Sequence, residues 1–244
     1  MGRYTFGDDR SAGDRLLLVA RAYEPVSRVF LDRHAPRDGR MALDLGCGPG
    51  FSTHLVGDVC HPRSLVGIDA YRAFVESARI RFPAIRFVTA DVTADPLPGA
   101  PADLIYARLL LAHLTDPVAL LEGWKGALSP GGVLLIEDLD SVVNPPGPLQ
   151  EYEAVSSLIV RAGGGPMYAG ALLAGLGGEI RPVTVPGSVA AEIYLFNVRR
   201  WRQVPGVPVT DGRLKALEAG LIEIAAHDGG TEVSWVVRQL AITS

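Results

Sequence analysis

Leu43-Asp44-Leu45-Gly46-Cys47-Gly48-Pro49-Gly50 is an apolar strand that runs straight into three alternating glycines. An open α/β sheet binds its ligand just beyond the carboxyl end of its first strand, where residues without side chains let the backbone approach the ligand. The stretch therefore predicts such a sheet, with a nucleotide-like ligand at this turn. Spacing sets two nucleotide classes aside. The dinucleotide fingerprint G-x-G-x-x-G needs a last glycine that packs helix on strand and turns the helix N-terminus to a pyrophosphate. Here the glycines are Gly46, Gly48 and Gly50, and the required position is Phe51. No G-x-x-x-x-G-K is present either, so a triphosphate cradle is not expected.

Further strands follow in order. Ser64 to Asp69 is apolar and ends in an acid 19 residues after Gly50. Ile85 to Val92 is a third strand with Asp91 near its end, Ala102 to Arg108 a fourth, and Ser129-Pro130-Gly131-Gly132 is a turn into a fifth at Val133 to Ile136. Over roughly residues 40 to 140 this order resembles the successive motifs of the class I S-adenosylmethionine-dependent methyltransferases, in their bacterial small-molecule form. The resemblance implies a Rossmann-like, mostly parallel sheet of seven strands with helices on both faces and an antiparallel last strand. It also implies S-adenosylmethionine as cofactor, bound by the first motif through Asp44, Gly46, Cys47, Gly48 and Gly50. Asp69, followed by Ala70, would accept the ribose hydroxyls, as acids at this position do in Rossmann-type sites; the competing reading makes Asp69 the cap of a helix over residues 71 to 81. Asp91 with Val92 would meet the adenine, against a plain strand-end acid. Ala107 and Arg108 would lay their backbone against the cofactor's amino group.

Composition bounds the rest. The 244 residues suffice for one α/β domain with a large core. It is read as residues 1 to 40 for an N-terminal helical arm, 41 to 140 for the cofactor half and 141 to 244 for the substrate half. Hydrophobic residues make up 48% and charged ones 20%, and no apolar run approaches the ~20 residues of a membrane span. Met1-Gly2-Arg3-Tyr4 lacks the basic start and apolar centre of a secretory signal, so a cytoplasmic enzyme is expected. Cys47 and Cys60 suit no zinc cluster and no disulfide framework, and no metal is expected. A net charge of −4 argues against a nucleic-acid partner, which would need a basic face. The resemblance allows a homodimer.

Before the sheet, Leu16, Val19, Ala20, Tyr23, Val26 and Phe30 recur at helical steps, predicting one or two helices broken near Pro25. By the resemblance this arm closes over the cofactor, with Arg15 on the methionine carboxylate and Tyr4 or Phe6 against the sulfonium; the alternative is a surface arginine and two anchoring aromatics. His113 follows the fourth strand in a run with Leu110, Leu111 and Leu114, expected as a helix, and is either a general base or a packed histidine. At the end of the fifth strand, two-residue alternation puts Asp138 and Asp140 on one face and Glu137 on the other. That pair would take a proton or hold a substrate cation, or else cap the next loop. Asn144-Pro145-Pro146-Gly147 resembles an amino-methyltransferase motif but lies after the wrong strand and lacks the aromatic residue, so it reads as a stiff turn.

Beyond residue 145 lies the specificity region. Helices are predicted over residues 149 to 161, 169 to 176, 190 to 204 and 213 to 227, and strands over 179 to 185 and 232 to 243. The first of these helices would cross the pocket mouth, making Gln150 and Tyr152 candidates for substrate contact. The run Arg199-Arg200-Trp201-Arg202 reads as a solvated helix face with Trp201 turned inward. A sulfonium methyl is already activated, so alignment of an acceptor supplies most of the catalysis, ~7 to 11 kcal/mol. The expected function is methylation of a small molecule, in bacterial secondary metabolism. A non-methylating step on the same fold, such as cyclisation, and an inactive scaffold subunit are the alternatives.

Overall fold

The computed structural model describes residues 10–163, 166–227 and 229–244, so Tyr4 and Phe6 lie outside the described residues. Seven strands form one sheet: β1 (Met41–Leu45), β2 (Ser64–Asp69), β3 (Arg86–Thr89), β4 (Ala102–Arg108), β5 (Leu128–Val143), β6 (Glu179–Pro186) and β7 (Glu232–Thr243). Their order is β3-β2-β1-β4-β5-β7-β6. β1 to β5 pair in parallel, and β7 runs antiparallel between β5 and β6. The chain reverses its direction of winding between β1 and β4, which opens a crevice at their carboxyl ends.

Alternation along the strands feeds two faces. Ala42, Leu104, Tyr106 and Leu135 pack under α1 (Arg10–His34) and α2 (Phe51–Cys60), while Leu43, Leu45, Ile105 and Ile136 face α4 (Pro117–Gly126). α3 (Arg72–Arg81) covers β3 through Val75, Ala78 and Phe87. A further core joins β6 and β7 to α5 (Pro148–Ala162), α7 (Gly187–Trp201) and α8 (Asp211–Ala226), while α6 (Ala169–Leu172) packs near the end of β5.

Two expectations about elements change. The N-terminal helix is not broken at Pro25: α1 continues through it to His34. An interior proline costs about 3 kcal/mol, but Tyr23, Phe30 and Leu31 are each almost wholly buried on the two sides of it, and each contributes about 1.5–3 kcal/mol. Packing outweighs the lost hydrogen bond. The leucine run around His113 makes only a single 3₁₀ turn, Leu111–His113, because α4 starts afresh where Asp116 caps Ala119 N–H at 3.2 Å and Pro117 takes the first helical position.

Candidate functional site

A cavity of about 540 Å³ opens at the carboxyl ends of β1, β2, β4 and β5, roofed by α1 on one side and by α5 and α7 on the other. Gly46, Cys47 and Gly48 form its floor at the end of β1. Gly48 has φ +51°, and a Cβ built there would meet only Leu16 Cδ1, at 3.8 Å, so the backbone is bare toward the open space. Gly50 differs. Its φ is +88°, but a Cβ there would press on Phe87 at 2.9 Å and Phe82 at 3.0 Å, and Gly50 does not line the cavity. The third glycine lets the turn pack against α3 and β3.

Asp69 and Ala70 reach the wall from the end of β2. The Asp69 carboxylate accepts Gly48 N–H on Oδ2 and Tyr71 N–H on Oδ1, both at 2.8 Å. It thus ties the glycine turn to the next strand, and with Ala70 N–H also contributing, part of its acceptor capacity stays free. Burial raises its pKa, against the lowering effect of these N–H donors. Val92 lines the cavity, whereas Asp91 does not: its carboxylate folds back on Thr93, accepting the backbone N–H at 2.9 Å and the hydroxyl at 2.7 Å. β3 ends at Thr89, so Asp91 belongs to a turn rather than to a strand end. Asp44 also lies off the wall, wholly buried, where its Oδ2 accepts Ser52 Oγ and Thr53 Oγ1 and so holds the start of α2. Burial pushes this carboxyl up to about 6.

From β4, Ala107 is buried in the core, away from the cavity, and Arg108 lines it, donating to Ser27 Oγ at 3.1 Å. Leu109, at φ +53°, lines it as well, a conformation costly for a branched residue, and it is held by its N–H to Glu137 O at 2.8 Å. No sequence signal marked it. Arg15 of α1 and His113 of the 3₁₀ turn are also on the wall. His113 is exposed through the cavity; partial withdrawal from water first, and the Arg15 charge second, push its imidazole below the usual histidine value.

The expected acid pair is separated. Asp138 lines the cavity and accepts Leu111 N–H at 2.8 Å and Leu139 N–H at 2.9 Å, and burial pushes its carboxyl up to about 7. Asp140 is off the wall, paired with Arg238 at 2.8 Å. A register shift against β7 between Leu139 and Ser141 inserts Asp140 as an extra residue, which breaks the alternation that would have kept the two acids together. Glu137 turns into the core, accepting the Tyr106 hydroxyl and Gln239 Nε2.

Tyr152 of α5 reaches the cavity, while Gln150 is exposed outside it, since two residues along a helix lie on different faces. Around Tyr152 stands a group that sequence reasoning missed: Glu153, Asn144, Tyr194, Asn197 and Trp235. Tyr194 and Asn197 belong to one turn of α7, and a tyrosine and an asparagine on its buried stripe were the available signal. Asn144 is more than part of a stiff turn, for its Nδ2 donates to Glu153 Oε2 at 3.1 Å. Trp201 is turned inward, with Arg199 and Arg202 paired to Glu218 outside.

Residues 43–136 match the model of a methyltransferase domain family. Among curated proteins, the chain is 40% identical over 151 residues to the trans-aconitate 2-methyltransferase of Methylobacterium radiotolerans, covering 62% of this chain and 56% of that one. It is 42% identical over 125 residues to the enzyme of the same name from Paracidovorax citrulli, covering 51% and 46%. The chain spans about half the length of the curated relatives it matches. Solved structures share the fold: the YcgJ protein of Bacillus subtilis (TM-score 0.55, 16% identity, 90% of this chain and 98% of that one), coclaurine N-methyltransferase bound to N-methylheliamine and SAH (0.52, 17%, 89% and 72%), and the [4+2]-cyclase SpnF (0.51, 16%, 89% and 82%).

Proposed function

We propose that this chain, a member of the class I S-adenosylmethionine-dependent methyltransferases through residues 43–136, binds S-adenosylmethionine in the cavity above β1 and methylates a small molecule held between α5 and α7. The carrying observation is the bare backbone at Gly48 facing open space beside Asp69, whose free lone pairs suit a ribose. These residues fit an adenosine ligand: Gly46, Cys47 and Gly48 offer backbone, Asp69 an acceptor, and Val92 and Phe74 apolar surface. The cofactor supplies an activated methyl on a positively charged sulfur. A bacterial biosynthetic setting, an intracellular location and one domain of the stated halves belong to this proposal.

The protein's own part is to orient and to exclude water. Asp69 fixes the glycine turn, Leu109 and Arg108 close the wall beside it, and Tyr152 borders the acceptor end. With the cofactor bound, Gly46, Cys47, Gly48 and Asp69 would hold it, and the wall of Tyr152, Tyr194 and Asn197 would orient the acceptor toward its methyl. Calorimetric titration tests the reading. S-adenosylhomocysteine is expected to bind and NAD not, and tighter binding of NAD would overturn the assignment.

His113 is neutral at pH 7, yet Arg15 disfavours the imidazolium it would become, so it gains little from taking a proton. Its replacement by Ala is expected to lower turnover less than tenfold with cofactor affinity kept. A hundredfold fall, with normal folding and binding, would make His113 the base.

A further inference from the structure

The acceptor end of the cavity is built unlike its glycine end. Tyr152 and Tyr194 stack at 3.7 Å between centroids with planes 5° apart, Trp235 lies 6.4 Å from Tyr194, and Tyr23 stacks on Trp235 at 5.6 Å. All four rings line the cavity. A chain of hydrogen bonds runs from this wall to one carboxylate. Trp235 Nε1 donates to the Tyr194 hydroxyl at 3.0 Å, that hydroxyl donates to Asn144 Oδ1 at 3.4 Å, and Asn144 Nδ2 donates to Glu153 Oε2. The Tyr168 hydroxyl donates to Glu153 Oε1.

Glu153 is therefore held in place by two neutral donors and, among the described residues, makes no ion pair. It lines the cavity, half-buried, beside these stacked rings. A second acceptor stands on the same wall: Asn197 Oδ1 is buried without a hydrogen-bond partner, while Asn197 Nδ2 donates to the Tyr152 hydroxyl. An oriented carboxylate without a positive partner is completed by a cation. At Glu153 itself the carboxylate repels an anionic group, while Arg15 and Arg108 line the same cavity.

We infer that the acceptor bears a protonated amine that pairs with Glu153, beside the stacked rings of Tyr152 and Tyr194. The inference rests on the methyl-transfer reading and narrows its substrate class, away from the tricarboxylate named for the curated relatives. The amine is the handle by which the molecule is held.

The test is calorimetry on the whole chain saturated with S-adenosylhomocysteine, using tryptamine, its uncharged counterpart 3-ethylindole, and trans-aconitate. Tryptamine is expected to bind at least tenfold tighter than 3-ethylindole and tighter than trans-aconitate. Glu153→Gln should erase the preference for the amine while S-adenosylhomocysteine affinity and the thermal midpoint stay unchanged. Tighter binding of trans-aconitate, no amine preference in the unaltered chain, or a preference that survives Glu153→Gln would overturn the acceptor assignment alone. Failure of the unaltered chain to bind S-adenosylhomocysteine would instead remove the methyl-transfer reading and this inference with it.

Discussion

Gly48→Leu is expected to weaken S-adenosylhomocysteine binding at least a hundredfold while the protein stays folded. A Cβ at this position meets only Leu16 Cδ1, at 3.8 Å, so the larger side chain enters the cavity without displacing the core. The backbone at φ +51° costs a side-chain-bearing residue about 1–2 kcal/mol, which for a chain of this size lowers the thermal midpoint by only a few degrees. Gly50→Ala makes the contrast. Its methyl would press on Phe87, Phe82 and Ala78 behind the turn, so it should lower the midpoint more than Gly48→Leu does and affinity less. Calorimetry and thermal unfolding on the two variants check this; equal loss of affinity in both would mean that the turn binds nothing directly.

Asp69→Ala is expected to weaken cofactor binding at least tenfold, again without unfolding. Two effects combine. The ribose would lose charge-assisted hydrogen bonds worth about 1.5–3 kcal/mol each, and Gly48 N–H and Tyr71 N–H would lose their shared acceptor, freeing the turn to move. The competing roles of ligand and cap are not exclusive, since a carboxylate has about four acceptor positions and the backbone donors Gly48, Ala70 and Tyr71 do not fill them all. Asp69→Asn keeps one oxygen and should lie between the two. An unchanged dissociation constant for Asp69→Ala would reduce this acid to a structural tie.

The succession of β1 to β5 and the floor of the cavity were legible along the chain, while the seven-stranded sheet was implied by the resemblance. They depend on local facts: an apolar run of the right length, a glycine that must lack a side chain, an acid at a strand end. The closing strand over residues 232–243 was legible for the same reason, as its alternation is local. Asp91 and Asp44 show the limit of that kind of reading. Each stands in the motif position, yet Asp91 folds onto the Thr93 hydroxyl two residues on and Asp44 onto Ser52 and Thr53 in the first turn of α2, both off the cavity.

What the sequence by itself determined is the half of the protein whose contacts lie within a strand and its following turn. The acceptor end is different, because it draws Asn144 from the end of β5, Glu153 from α5, Tyr194 and Asn197 from α7, and Trp235 from β7, positions up to about ninety residues apart. No period or spacing links them; they meet because β7 inserts between β5 and β6 and brings their helices to one wall. The fate of Asp140 was likewise a tertiary matter: one extra residue in β5, set by its register against β7, turned it from Asp138 to Arg238.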